Sequence, residues 1–111
     1  MAVHNILGNG FQEVIYQRCL ALELESAKLS YIREMEIPLY YKGIEVGARR
    51  ADFVVENDIL VELKALLKLE DVHLAQALNY LNAYDLKRGL LINFGGKSLE
   101  YKLLFNKKDL S

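Results

Sequence analysis

The stretch "RADFVVENDILVELKA", which covers residues 50–65, contains two short apolar runs, and three charged side chains lie within those runs. They are Asp52, Glu62 and Lys64. The stretch reads as two strands joined by a three-residue loop at 56–58, and this register places Asp52 opposite Glu62. Two carboxylates whose Cβ atoms lie about 5 Å apart repel each other. A divalent cation between the two carboxylates would remove that repulsion, so the pair predicts a metal site.

The same register divides the hairpin into two faces. One face is entirely apolar and suits a core: Phe53, Val55, Ile59, Val61 and Leu63. The other face carries the three charged residues around Val54 and Leu60. Oxygen-rich sites of this kind suit Mg²⁺ or Mn²⁺, and the Lys64 ammonium could orient a water or stabilise charge on a phosphate. Two alternatives stay open: a solvated strand face with a Glu–Lys pair, and a slipped loop that puts the carboxylates on opposite faces.

Two helices carry further candidate residues. Residues 11–28 form the first, whose buried face is predicted from the spacing of Phe11, Ile15, Cys19 and Leu22, with Val14 beside it. Glu13 and Tyr16 then lie on another side of that helix. Residues 72–86 form the second helix, on which Val72, Ala75, Leu78 and Leu81 or Leu86 are expected to face inward. Its Gln76 and Tyr80 lie on one face, about 6 Å apart along the axis. Taken alone, all of these polar residues, and His73, are ordinary surface residues.

The remaining segments complete a single α/β domain over residues 1–111. Strands are predicted at 30–40, 44–55, 59–65, 90–94 and 99–105, with Pro38 indicating an edge or a bend. "LLINF" at residues 90–94 is typical of a strand that is buried on both faces in a mixed or parallel sheet. The order of helix, three strands, helix and two strands predicts helices packed on a central sheet.

Composition limits the function classes. The net charge of −1 is unlike that of domains that bind nucleic acid through charge alone. No apolar run approaches the roughly 20 residues that span a bilayer, and the N-terminus lacks a targeting pattern. The single cysteine, Cys19, excludes an internal disulfide, and a reducing cytoplasm is the expected location.

Taken together, the motifs resemble one family. "GFQEVIY" at residues 10–16 matches the pattern that names the GxxExxY proteins, and "LYYKG", "RADFVV", "VELKA", "AQALNYL" and "GLLINFG" follow in that family's order. The GxxExxY proteins look like a branch of the PD-(D/E)XK nuclease superfamily. The resemblance implies a restriction-endonuclease-like αβββαβ core, with a central mixed β-sheet flanked by helices.

The resemblance also implies roles for particular residues. Asp52, Glu62 and Lys64 correspond to the catalytic signature, and Glu13 resembles the helical acidic residue that completes the metal site. The implied ligands of Mg²⁺ or Mn²⁺ are Asp52, Glu62, Glu13 and the Leu63 carbonyl. Gln76 and Tyr80 resemble a substrate-contacting QxxxY element. Arg49 and Arg50, together with Lys68, Lys87 and Arg88, are the candidates for contacts with the nucleic-acid backbone.

The expected activity is therefore metal-dependent hydrolysis of nucleic acid, with DNA favoured over RNA. The alternatives are a nuclease-like fold that serves as an inactive binding module and a purely structural α/β domain, because fold alone does not establish activity. Two features depart from the family pattern: a longer first helix usually precedes "VH", and "YKLLF" lacks an expected arginine. The short N-terminus predicts an exposed apolar patch beside the first helix, which favours a homodimer or another partner.

Overall fold

The structure, a computed structural model, describes residues 2–106 and consists of three helices and five strands in that range. The helices are α1 (Ala2–Leu7), α2 (Glu13–Ser26) and α3 (Asp71–Ala83). The strands are β1 (Tyr31–Tyr41), β2 (Ile44–Val55), β3 (Ile59–Lys64), β4 (Arg88–Asn93) and β5 (Glu100–Phe105). Every predicted element is present within a few residues of its expected bounds. Helix α1 was not predicted.

The strands form one mixed sheet in the order β1-β2-β3-β4-β5. Strands β3 and β4 are parallel, whereas the other three neighbouring pairs are antiparallel. A parallel pair needs a long crossover connection, and α3 provides it. The predicted α/β class, with a mixed sheet flanked by helices as in the restriction-endonuclease-like fold, is confirmed. No helix within residues 2–106 is long and apolar enough to cross a bilayer.

Each face of the sheet has its own apolar core. Helices α1 and α2 cover one face, where Tyr16 and Leu20 pack against Phe53, Val61 and Phe94. Helix α3 covers the other face, where Ala77 and Leu81 pack against Val54, Leu60 and Leu91. The predicted division of the β2–β3 hairpin between two faces is therefore present in the structure.

The buried faces of the two long helices differ from the prediction. On α2 the buried side chains are Tyr16, Gln17, Leu20 and Ala21, whereas Phe11, just before the helix, and Leu22 and Val14 within it are exposed. Apolar residues surround much of this helix, so the three-to-four spacing fits more than one face. Tyr16 decides the orientation because its ring stacks on Phe94 and its hydroxyl donates to the Gly8 carbonyl at 2.7 Å.

The predicted inner face of α3 is also partly wrong. Val72 is 55% exposed and Ala75 is exposed as well, while Ala77 and Leu81 are the buried residues of the helix. The helix ends at Ala83 rather than residue 86, and Tyr84 follows it as the C-cap. Relative to the prediction, the helix is rotated so that Tyr80, and Tyr84 just after the helix, pack against the core beside Ala77 and Leu81.

Strand β2 is irregular at Asp52. Its pairing with β3 ends at Phe53↔Val61. On the other side, its pairing with β1 passes from Arg33↔Phe53 to Met35↔Ala51, and the intervening Glu34 has a φ of +54°. Asp52 therefore lies at an interruption of the backbone ladders on both sides.

Beyond Asp52, β1 and β2 continue as a two-stranded hairpin, which we call the arm (residues 34–51). Residues 44–50 are all exposed. The arm ends in a turn where Lys42 and Gly43 both have positive φ, as a tight hairpin turn requires. Its base is fixed to α3 by Tyr84, whose hydroxyl accepts from the Ala51 N–H at 2.8 Å and also contacts the Met35 carbonyl.

Candidate active site

The predicted register of the β2–β3 hairpin is confirmed. Val55 pairs with Ile59 and Phe53 with Val61, and a three-residue loop joins the strands. One residue further along, side-chain bonding replaces backbone pairing, because Asp52 Oδ2 accepts the Leu63 N–H at 2.7 Å. The Asp52 carboxyl group thus bonds to the side of β3 that faces β2, at the point where the backbone pairing of the two strands has ended.

Glu62 is buried next to this carboxyl group. Only 5% of Glu62 is exposed, and its Oε1 has no hydrogen-bond partner among residues 2–106. Burial, followed by the charge of Asp52, raises the pKa of Glu62 to about 9, although Lys64 acts in the opposite direction. Two adjacent carboxyl groups with an unsatisfied oxygen form a site that favours either a proton or a cation.

Glu13 and Lys64 belong to the same electrostatic group. Glu13 opens α2, and its pKa is raised first by burial and then by the charge of Asp52, while the Lys64 ammonium lowers it. Lys64 ends β3, two residues after Glu62. The charges of Asp52 and Lys64 therefore act on both Glu13 and Glu62, which relates the four residues predicted to be catalytic to one another near the end of β3.

The direction of the Leu63 carbonyl follows from the hydrogen bonds of β3. In an extended strand, the N–H and C=O of one residue point to the same edge. The Leu63 N–H bonds to Asp52, whereas the carbonyl of the next residue, Lys64, accepts the Phe94 N–H on the β4 side. The Leu63 carbonyl therefore points to the edge where Asp52 lies.

The donor set fits a hard divalent cation that retains several waters. Within residues 2–106, no three side chains of the His, Cys, Asp and Glu types form a ready metal cage. Two neighbouring carboxylates and a backbone carbonyl nevertheless suit Mg²⁺, which is commonly held by one or two carboxylates and keeps waters. The unpartnered oxygen of Glu62 is the observation that a cation at this position would explain.

Sequence reasoning missed Gln17, which supports this site. Gln17 is buried on α2, and its Nε2 donates to Asp52 Oδ1 at 2.5 Å. Arg33 Nη2 in turn donates to Gln17 Oε1 at 3.3 Å. The four-residue separation from Glu13 places Gln17 on the same face of the helix, and this spacing was the available signal.

A groove between the arm and α3 contains three of the four predicted substrate-contacting residues. Gln76, Tyr80 and Arg49 line it together with Leu39, Asn79 and Ala83, and its volume is about 240 Å³. The Arg49 guanidinium lies 5.8 Å from the centre of the Tyr80 ring. Glu62 is not part of this lining. The pKa of Tyr84, which follows α3, is raised mainly by burial. The charge of Glu62 raises it further, so Glu62 lies near this end of α3.

Other predicted basic contacts lie elsewhere. Arg50 is on the exposed arm and faces Glu36 at 3.6 Å. Arg88 pairs with Asp58 at 2.6 Å and is level with Ile59, at the opposite end of β3 from Lys64. Lys87 precedes Arg88, so both lie away from the carboxylates.

Lys68 lines a separate groove near the start of α3. That groove also contains Glu70 and Asp71, whose charges oppose that of Lys68. The structure therefore brings neither Lys68 nor the Lys87–Arg88 pair to the candidate site.

Comparison with known proteins assigns the family. The model of the PD-(D/E)XK nuclease superfamily matches residues 1–103, and the chain belongs to that superfamily. No curated protein gives a significant match. Among solved structures, the chain is similar to the one titled "Crystal structure of SSO0001", with a TM-score of 0.65 and 18% identity. That similarity covers 83% of this chain but only 48% of the other, and at this identity it supports the fold alone.

Proposed function

We propose that this protein is a metal-dependent nuclease that hydrolyses phosphodiester bonds. The observation that carries the proposal is the buried Glu62, whose unpartnered oxygen lies beside Asp52 at the interruption of the β2 ladder. A purely structural protein gains nothing from a buried carboxyl group placed beside a half-buried one. Membership of the nuclease superfamily supports the same conclusion, and the motif "GFQEVIY" supports the GxxExxY branch within it.

The residues that would hold Mg²⁺ or Mn²⁺ are Asp52, Glu62 and the Leu63 carbonyl, with Glu13 as a further carboxylate. When bound, such an ion supplies Lewis-acid charge and lowers the pKa of a coordinated water. Glu62 must lose its proton to become a ligand. The Lys64 ammonium favours that ionised form because its charge lowers the pKa of Glu62.

The remaining polar residues act on the substrate. Lys64 orients the attacking water and stabilises negative charge that develops on the phosphate. Gln76, Tyr80 and Arg49 line the adjacent groove and hold the nucleic-acid strand, while Arg50 on the arm contacts its backbone. We take DNA rather than RNA as the first substrate. The net charge of −1 makes local contacts of this kind more important than overall attraction.

We further propose that the protein acts in the cytoplasm as a homodimer. An apolar strip on β5 supports the second part: Tyr101, Leu103 and Phe105 are 61%, 64% and 52% exposed. Contiguous exposed apolar side chains commonly mark a contact with another protein. Light scattering that finds only monomers at high protein concentration would contradict the dimer.

The central test is a titration of Mg²⁺ and Mn²⁺ with labelled single- and double-stranded DNA and RNA. We expect cleavage by the wild type and none by Asp52→Asn. Asp58→Asn serves as the matched control because Asp58 is also an aspartate of the β2–β3 hairpin but pairs with Arg88 at the opposite end of β3. We expect this control to cleave at the wild-type rate.

Thermal melting separates the proposal from its main alternative. A cation that binds only the folded protein raises the melting temperature by mass action, and Asp52→Asn should abolish that increase. If millimolar Mn²⁺ does not change the wild-type melting temperature and no substrate is cleaved, the protein is better described as a binding module than as a nuclease. Metal binding without cleavage of nucleic acid would support the site and contradict the substrate class.

A further inference from the structure

The amide of Gln17 is buried at the end of a short hydrogen-bonded chain. Only 8% of the residue is exposed, and burial of an amide is costly unless its polar atoms have partners. Its Nε2 donates to Asp52 Oδ1 at 2.5 Å, and its Oε1 accepts from Arg33 Nη2 at 3.3 Å. Both ends of the amide are therefore used.

Arg33 determines which way the amide points. A guanidinium group has donors only, so the amide oxygen must face Arg33 and the NH₂ group must face Asp52. Arg33 is well placed for this because it pairs with Phe53, the residue next to Asp52. Arg33 Nη2 donates to Gln17. The Nε of the same guanidinium group is buried and has no hydrogen-bond partner among residues 2–106.

The carboxyl group of Asp52 depends on these side chains more than an ordinary strand residue would. The ladders are interrupted on both sides of Asp52, so backbone pairing alone does not fix its direction. Gln17 holds Oδ1 and the Leu63 N–H holds Oδ2 at 2.7 Å. A carboxylate offers about four acceptor positions, so both oxygens retain capacity for a further ligand.

We propose that Gln17 is a positioning residue that fixes the Asp52 carboxylate for metal binding, with Arg33 fixing Gln17. The proposal rests on the proposed function in one respect, since the ligand that Asp52 is positioned for is the divalent cation. Partners that orient a ligating side chain typically affect metal affinity 10- to 100-fold. Gln17 does not touch substrate in this arrangement.

The test uses Gln17→Met, which keeps the length of the side chain and removes both polar atoms. Arg33→Met interrupts the chain one step earlier, nearer the surface, so it is the second variant if Gln17→Met folds poorly. Arg18→Met is the matched control because Arg18 is exposed on the same helix, next to Gln17. We measure the Mn²⁺ dissociation constant by calorimetry, kcat and KM for DNA cleavage, and amide hydrogen exchange without metal.

We expect Gln17→Met to weaken Mn²⁺ binding about tenfold and to lower kcat with little change in KM. Arg33→Met should give a smaller effect in the same direction, and the double variant should be no worse than Gln17→Met. Without metal, the Leu63 amide should exchange faster in Gln17→Met while the Leu91 amide in β4 does not. Arg18→Met should match the wild type throughout.

The outcomes separate this proposal from the proposed function. Unchanged Mn²⁺ affinity and unchanged Leu63 exchange, with only a lower melting temperature, would make Gln17 a merely structural residue and overturn the proposal. A wild type that binds no Mn²⁺ would contradict the metal role of both proposals. Faster exchange of the Leu63 amide in Gln17→Met would then still support Gln17 as the residue that positions Asp52.

Discussion

Two clusters of buried and half-buried polar side chains lie beside β3 and β4, and they differ in how well their hydrogen bonds are satisfied. In the first, the fully buried Asn93 bonds through its side chain to the Leu66 N–H (2.8 Å), the Leu66 carbonyl (2.9 Å) and the Gly95 N–H (3.1 Å). It also donates to Glu100 Oε1 at 2.9 Å, which accepts the Leu69 N–H as well. This cluster holds the segment after β3 in place.

The second cluster contains Asp52 and Glu62, and it is incomplete without a proton or a cation. Glu62 Oε1 is without a partner within residues 2–106, and burial, followed by the charge of Asp52, raises the pKa of Glu62. Satisfied networks rigidify a fold, whereas unsatisfied buried groups cost free energy. The difference indicates that the Asn93 cluster serves folding and the Glu62 cluster serves function.

The largest expected effect is a fall in stability of the metal-free protein as pH rises from 5 to 9. Glu62 ionises near 4.5 when unfolded and near 9 when folded. Between these values the folded state binds more protons, so the free energy of unfolding decreases with pH, by roughly 1 kcal/mol per unit for one proton. The raised pKa of Glu13 acts in the same direction. Urea unfolding in EDTA across this range measures the effect.

Glu62→Gln is the control for this pH dependence, because glutamine does not titrate. The variant should be more stable than the wild type at pH 8 and should show a much flatter dependence on pH. Mn²⁺ should reduce the loss of wild-type stability at high pH, because the ion binds the ionised carboxylate. A wild-type stability that stays constant between pH 5 and 9 would show that the two clusters do not differ in this way.

The next effect in size comes from the satisfied cluster. Asn93→Ala removes the partners of the Leu66 and Gly95 N–H groups and leaves a cavity, so we expect a loss of about 3 kcal/mol in the free energy of unfolding. Asn79→Ala is the control, because Asn79 is an exposed asparagine in the groove. Its stability should change by less than about 0.5 kcal/mol. Equal losses in the two variants, measured by urea unfolding, would contradict a structural role for Asn93.

The sequence predicted the parts of the site that depend on local pattern. Alternation of apolar residues around a three-residue loop was sufficient for the β2–β3 register, and that register placed Asp52 and Glu62 side by side. The order of helices and strands followed from periodicity, and the family motif placed Glu13 near them. The register and the order of elements depend on neighbours in the chain, so a single sequence contains them, whereas the position of Glu13 came from the resemblance to a family.

The parts that the sequence did not predict depend on contacts between distant segments. Tyr16 is buried because its ring stacks on Phe94 and its hydroxyl donates to the Gly8 carbonyl. These contacts orient α2 so that Gln17 reaches Asp52. At the interruption beside Asp52, Glu34 of β1 has a positive φ, and Tyr84 after α3 holds the N–H of the neighbouring Ala51. Periodicity within one helix or strand does not report such contacts.

The smallest expected effect comes from Glu100→Gln. This variant replaces a glutamate by glutamine in the Asn93 cluster, as Glu62→Gln does in the Glu62 cluster. Glutamine keeps the Oε1 that accepts from Asn93 and from the Leu69 N–H, but these bonds lose their assistance from a negative charge. We therefore expect a loss of about 1 kcal/mol or less, opposite in sign to the gain from Glu62→Gln. Urea unfolding of both variants at pH 8 in EDTA compares them directly. If both variants gain stability, Glu100 is also a strained carboxylate and the contrast between the clusters fails. If both lose stability, Glu62 has a partner that stabilises its charge, and the case for a cation beside Asp52 is lost with it.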